Sequence, residues 1–202
     1  MKNKGILIVI SGPTGAGKSE IISALVEKKK DLYLSISDTT RAKKSKDIEG
    51  KKYNFISRQE FFKKVDQGAY LEWAEVYQDY FGTPKHIINK KLAEGKDVIL
   101  AIDIKGALQI KEKYEEAVFI FILPPSVKVL KERIMDNKVE STEALTRKFN
   151  SAYAEIQSIS KYNYGVISNN IEEAVNRIEH IILAEKCRVD RTRDSIDILK
   201  SL

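Results

Sequence analysis

The sequence predicts an α/β fold: a parallel sheet around a phosphate-binding loop (P-loop), helices on both faces, an inserted α+β lobe and a short helical lid. Three observations predict it. Gly12-Pro13-Thr14-Gly15-Ala16-Gly17-Lys18-Ser19 has the spacing G-x-x-x-x-G-K-[ST] and stands directly between an apolar run and a helical pattern. Further apolar runs alternate with helical patterns, as βαβ units require. Two polar or mixed segments, about 37–91 and about 136–148, break the alternation. A chain of 202 residues, 43% hydrophobic and 32% charged, suffices for one core (1–36 and 92–202) with small insertions.

The first strand is the β-branched run Gly5–Ile10, read as a buried parallel strand. In the loop after it, glycines without a Cβ let backbone N–H groups turn inward around phosphates, and the next helix adds its positive dipole end. Lys18 reaches the β- and γ-phosphates, and the Ser19 hydroxyl can enter a Mg²⁺ shell. Ile21, Ile22, Leu25 and Val26 give that helix its apolar stripe, and Glu27-Lys28-Lys29-Lys30 ends it. Leu32–Ile36 reads as a short strand. From Ser37 to Tyr53 core-forming residues are scarce, and six cations crowd the twelve positions Arg41–Lys52. Such a run is solvated surface unless a second phosphate needs it. From 53 to 91, Phe55, Phe61, Phe62, Val65, Tyr70, Leu71 and Trp73 can form a small satellite core.

The sheet resumes at Val98–Ile102, with Asp103 at the carboxyl end that faces the ligand crevice of an open parallel sheet. Asp103 can hold Mg²⁺ there; the alternative is that it caps the next helix. Ala117–Leu123 is the next strand, Ser126 caps a helix from Val127 to Met135, and a polar break from Asp136 to Ser141 precedes a long helix from Thr142 to Ser160. Tyr164–Ser168 is the last strand. Asn169 and Asn170 then cap an amphipathic helix through Ile171, Ala174, Val175, Ile178, Ile181 and Ile182.

Cations come from three places: Lys18 in the loop, Arg41 and Lys44 in the basic segment, and Arg133, Arg147 and Lys148 around the polar break. Holding two phosphate groups close and in line, away from water, is what phosphoryl transfer demands. Lys and Arg are interspersed with Asp and Glu, so the net charge of +6 is read as solvated faces, and no nucleic-acid partner is expected. No apolar run approaches the ~20 residues that span a bilayer, so no membrane partner is expected. Met1–Lys4 and the run after it lack a small-residue cleavage site, and a cytoplasmic protein is expected. Cys187 is the only cysteine, which rules out a disulfide or a cysteine metal cage within the chain.

From Gly5 to about Arg191 the chain resembles the guanylate kinase family. The resemblance is carried by the P-loop, Ser35–Arg41, Gly50-x-x-Tyr53-x-Phe55, Leu71–Ala74, Tyr80–Pro84, Ile102–Ala107 and Phe121–Ser126. It implies transfer of the γ-phosphoryl of ATP to GMP or dGMP with Mg²⁺, through a core, a GMP-binding lobe at about 37–91 and the lid. It implies ATP contacts from Gly12, Pro13, Thr14, Gly15, Ala16, Gly17, Lys18 and Ser19, and Mg²⁺ at Ser19 and Asp103. GMP is expected at Ser37, Arg41, Lys44, Tyr53, Glu72, Phe81, Thr83 and Asp103. Lys18, Arg41, Arg133 and Arg147 are the expected catalytic cations. Guanine offers N1–H and a 2-amino group as donors and O6 as acceptor, so one carboxylate (Glu72) can take both donors while a hydroxyl (Ser37 or Thr83) serves O6.

The chain departs from the family pattern at several positions. Lys44 and Lys148 stand for arginines, Asp47 for Glu, Phe81 for Tyr, Ala101 for an acid and Asn137 for a lid Arg; Ser168-Asn169 stands for Asn-Asp. Lysine keeps the charge but not the bidentate fork. Phe81 lacks a phosphate-directed hydroxyl, although Tyr80 is adjacent. Two other readings are a noncatalytic guanylate-kinase-like domain that binds a phosphorylated or acidic peptide, and a kinase of the same fold for another phosphorylated acceptor. Intact Lys18-Ser19 argues against the first; the set Ser37, Glu72 and Thr83 argues against the second.

Overall fold

The computed structural model describes residues 4–45, 47–76, 78–136 and 141–192. Its centre is a five-stranded, all-parallel sheet of β1 (Leu7–Ser11), β2 (Tyr33–Leu34), β7 (Val98–Ala101), β8 (Val118–Leu123) and β9 (Tyr164–Ile167), in the order β2-β7-β1-β8-β9. The continuous apolar runs become strands because both faces are covered, and side chains alternate across the pleat. Ile6, Ile8, Ile10, Ile99, Ile120 and Ile122 pack on one side with α1 (Lys18–Lys28) and α7 (Ile171–Lys186). Leu7, Val9, Val98, Leu100 and Phe119 pack on the other with α3 (Lys85–Ala93) and α4 (Ile104–Lys113). Among the described residues no helix is long and apolar enough to cross a membrane.

The insertion carries its own four-stranded sheet, in the order β4-β3-β6-β5, from β3 (Ser37–Thr39), β4 (Tyr53–Phe55), β5 (Tyr70–Val76) and β6 (Asp79–Pro84). β3 and β4 are parallel; β6 runs antiparallel to both β3 and β5. α2 (Arg58–Asp66) covers it, capped by Ser57, whose hydroxyl accepts from the Glu60 N–H at 3.1 Å. The expected satellite core is there, with changed membership. Phe61 is fully buried against Tyr70, Trp73 and Tyr80, with ring centroids 4.9, 6.3 and 5.7 Å away. Leu71 instead points into the main core, and Phe55 lies beside Tyr53. Asp38 anchors the lobe from inside, accepting from Asn54, Lys64 and Tyr70 at 2.9–3.0 Å.

Several boundaries differ from the sequence reading. The strand expected over Leu32–Ile36 is only Tyr33–Leu34 in the main sheet; Ser37–Thr39, expected to be poor in core, is a fully buried strand of the second sheet. The long helix is α6 (Thr142–Ile156), and its last turn tightens to a 3₁₀ helix over Gln157–Lys161. Asn170, not Asn169, caps α7. α5 (Val127–Met135) begins at Ser126 as expected. Asn137 and the rest of 137–140 in the expected lid, and Lys46, lie outside the described residues.

Candidate active site

The loop between β1 and α1 owes its shape to three glycines. A Cβ on Gly12 would stand 2.5 Å from the Ile122 carbonyl oxygen, so nothing larger fits against β8 there. Gly15 and Gly17 have φ of 86° and 85°, the left-handed region in which Cβ-bearing residues are strained. Gly17 is also the N-cap of α1 and no side chain caps the helix, which leaves its first N–H groups and dipole end facing the cavity. The loop is braced from behind: the Ser168 hydroxyl donates to the Ala16 carbonyl at 2.8 Å, and Arg133 donates to the Gly15 carbonyl at 3.3 Å and to Ser168 at 3.4 Å. Lys18 Nζ lies 3.3 Å from the Ile102 carbonyl and 3.5 Å from that of Gly12. Burial pulls the Lys18 ammonium below its usual range, opposed by the charges of Asp103 and Glu155. An anion on the loop would relieve that desolvation.

Loop and insertion face each other across a cavity of about 1440 Å³. That exceeds the ~300–1,000 Å³ of a pocket for one small molecule and leaves room for two. The core contributes the loop, Ala101, Asp103, Arg133, Glu155 and Asn169; the insertion contributes Ser37, Asp47, Lys52, Tyr53, Glu72 and Phe81. Ser37, Glu72 and Thr83 are all buried polar groups, and the Thr83 hydroxyl donates to Glu72 Oε1 at 2.5 Å. Burial pushes the Glu72 carboxyl up to about 7; the charge of Asp103 adds to this and the Thr83 bond opposes it. Asp103 caps the next helix, one of the two roles the sequence left open, and it also faces the cavity. Its Oδ1 caps α4 by accepting from the Gly106 N–H at 2.7 Å.

The remaining expected contacts divide. Tyr53 and Phe81 line the cavity with ring centroids 5.7 Å apart. Tyr80 cannot replace a hydroxyl missing at Phe81: alternation along β6 turns it to the other face, into the Phe61–Phe62 cluster. Arg41 sits over the Tyr53 and Phe55 rings, 5.5 and 5.4 Å from their centroids, and pairs with Asp47 at 2.9 Å. Lys44 gives only its backbone N–H to Asp47, at 2.7 Å, and is otherwise exposed. Neither Arg41, Lys44 nor Arg147 is among the described lining residues; Arg147 is exposed on α6.

Lys52 and Glu155 are among the lining residues that the sequence did not single out. Lys52, the last cation of the basic run, crosses from the insertion to donate to Ser19 Oγ at 3.0 Å. Glu155, on α6, is brought near Lys18 and Asp103, and burial raises its carboxyl above the usual range. A cation run flagged Lys52 only collectively, and Glu155 looked like any acid on an amphipathic helix. Among the described residues no group of three or more His, Cys, Asp or Glu is arranged for a metal. The Ser19 hydroxyl and Asp103 carboxylate are hard oxygens, which fits Mg²⁺ sharing its shell with phosphates and water.

A guanylate kinase family model matches residues 4–185. The chain is 54% identical over 194 residues to a guanylate kinase of Caldanaerobacter subterraneus subsp. tengcongensis, covering 96% of this chain and 94% of that one. It is 53% identical over 194 residues to a guanylate kinase of Clostridium perfringens, covering 96% and 90%. The crystal structure of guanylate kinase from Anaplasma phagocytophilum superposes with a TM-score of 0.80 at 31% identity, over 94% of this chain and 90% of that one.

Proposed function

The chain belongs to the guanylate kinase family, an ATP:GMP phosphotransferase family, and from that premise we propose that ATP sits on the P-loop and GMP in the inserted lobe. The observation that carries this assignment is the single cavity lined on one side by an uncapped helix terminus with a desolvated lysine and on the other by a buried hydroxyl–carboxylate set. In this reading the Gly15–Ser19 amides and Lys18 hold the donor's phosphates, and Arg133, already against the loop, adds charge where it develops in transfer. Glu72 accepts from guanine N1–H and the 2-amino group. Because the Thr83 hydroxyl is already spent on Glu72, O6 falls to Ser37. Tyr53 lines the wall toward the acceptor phosphate; Arg41 reaches it only if released from Asp47, and the Lys44 side chain only if turned inward. Ser19 and Asp103 would hold Mg²⁺, which, when bound, supplies a positive centre for the donor phosphates.

Two readings stay apart from this one. An intact, half-buried Lys18 at the loop argues against a purely binding domain, which has no need of a γ-phosphate cradle. The buried Ser37, Glu72 and Thr83 argue against a non-guanine acceptor. The test is ADP release with GMP, dGMP, AMP, UMP and CMP, for the wild type and Lys18→Ala. GMP and dGMP should be used far ahead of the others. Lys18→Ala should fold normally and lose turnover by at least about a hundredfold, the scale of losing one positioned charge on a transferring group. Turnover near wild type in that variant would overturn the placement of ATP.

A further inference from the structure

Helix α4 belongs to the core, yet one of its faces grips the strand that carries Glu72. Gly106, Gln109 and Lys113 are three and four residues apart and so share that face. The Gln109 side chain accepts from the Trp73 N–H at 3.3 Å and donates to the Trp73 carbonyl at 2.7 Å, pairing with β5 as a neighbouring strand would. Lys113 Nζ donates to the Leu71 carbonyl at 3.4 Å. Glu72, between those two anchored residues, points its carboxylate at the first turn of α4. A Cβ on Gly106 would stand 2.3 Å from Glu72 Oε2. Glycine inside a helix is unfavourable relative to alanine. It is the absence of a side chain at Gly106 that lets the carboxylate lie there.

We propose that α4 sets acceptor specificity: Gly106 makes room for the Glu72 carboxylate and Gln109 fixes the height of β5, so that the carboxylate meets both guanine donors together. Both are positioning residues. The inference rests on the reading of Glu72 as the guanine acceptor. It also explains why the carboxylate needs two supports. Thr83 holds Oε1, and the backbone of α4 bounds the space of Oε2, so its direction is set on both sides. A shift of about 1 Å would keep one guanine donor paired and leave the other buried without an acceptor.

The test compares the full-length wild type with Gly106→Ala, Gln109→Leu and Glu72→Gln, using GMP and IMP as acceptors; IMP lacks the 2-amino group. Gly106→Ala and Gln109→Leu should each raise KM for GMP at least tenfold, leave kcat at saturating GMP and KM for ATP within about twofold, and shrink the GMP-over-IMP preference. Gln109→Leu adds no bulk against Glu72, so it decides the matter if Gly106→Ala does not fold. Wild-type KM and preference in Gln109→Leu would overturn the proposal, as would equal losses in kcat and in KM for both substrates. If Glu72→Gln itself leaves GMP use unchanged, the reading of Glu72 falls and the proposal with it. If Glu72→Gln impairs GMP while Gly106→Ala and Gln109→Leu do not, only the role of α4 falls.

Discussion

At Glu72 the protein keeps a carboxylate where water cannot stabilise it, and burial raises its pKa to about 7. The sign follows from linkage. The unfolded carboxyl titrates near 4.5, so between 4.5 and about 7 the unfolded chain ionises first and folding stability falls with pH; above 7 the full penalty persists. It is on the order of 3 kcal/mol. Glu72→Gln should therefore raise Tm at pH 8 and change it little near pH 4.5, checked by thermal denaturation at both values. Accepting two guanine donors needs the ionised form, so KM for GMP should rise as pH drops below about 7, and that dependence should vanish in Glu72→Gln. Glu72 was legible in the sequence only through the family resemblance. Its raised pKa was not, because the burial that causes it and the Asp103 charge that adds to it come from packing against residues distant in sequence. The same holds for Tyr80 and Phe81: adjacency suggested that one hydroxyl could serve for another, and strand alternation forbids it.

Among the elements, the strands covered on both faces and the amphipathic helices α1 and α7 were legible, and the helices of the insertion were not. β1, β7 and β8 are uninterrupted apolar runs, so composition alone declares them. α2 buries only Phe61 and α3 only Ile88 and Leu92, too few positions to raise a 3.6-residue period above a mixed background. α4 was anticipated only as whatever Asp103 would cap. The P-loop was legible throughout, because its chemistry is written in glycines whose roles are steric. Gly12 gives the clearest expectation. With a Cβ only 2.5 Å from a β8 carbonyl oxygen, Gly12→Ala must move backbone and not a flexible side chain. The loop should shift out of register with α1. ATP binding should be lost by at least tenfold in a titration without GMP, and Tm should fall by several degrees, whereas GMP binding in the other lobe should be retained. Retained ATP affinity would show that the loop's position against β8 is not what shapes the phosphate cradle.

Across the whole molecule, the net charge of +6 is not gathered where the nucleotides would bind. The described cavity lining holds five Lys and Arg (Lys18, Lys51, Lys52, Lys105, Arg133) against six acids (Glu20, Asp47, Glu72, Glu75, Asp103, Glu155). Attraction to phosphate must then come from individual cations held close to it, not from a general positive field. Lys52 is the one that bridges the two halves. It is anchored in the insertion beside Tyr53, whose ring centroid is 5.6 Å from its Nζ, and reaches Ser19 of the loop. The back of the cleft, where α4 meets β5, is held by several bonds, and at its front Lys52 spans from the insertion to the loop. When a donor phosphate takes the loop, the ammonium is already within reach of it. Lys52→Met should therefore lower kcat/KM about tenfold at low salt, the lower end of a hydrogen bond to a charged group. Lys52→Arg should recover most of it. Because screening already weakens the interaction, the gap between wild type and Lys52→Met should narrow as salt rises from about 0.05 to 0.5 M. Tm should be unchanged, since the Ser19 contact lies at an exposed mouth and contributes little to folding. Kinetics equal to wild type at every salt concentration would reduce Lys52–Ser19 to a surface contact, and a Tm loss parallel to the kinetic one would make it structural.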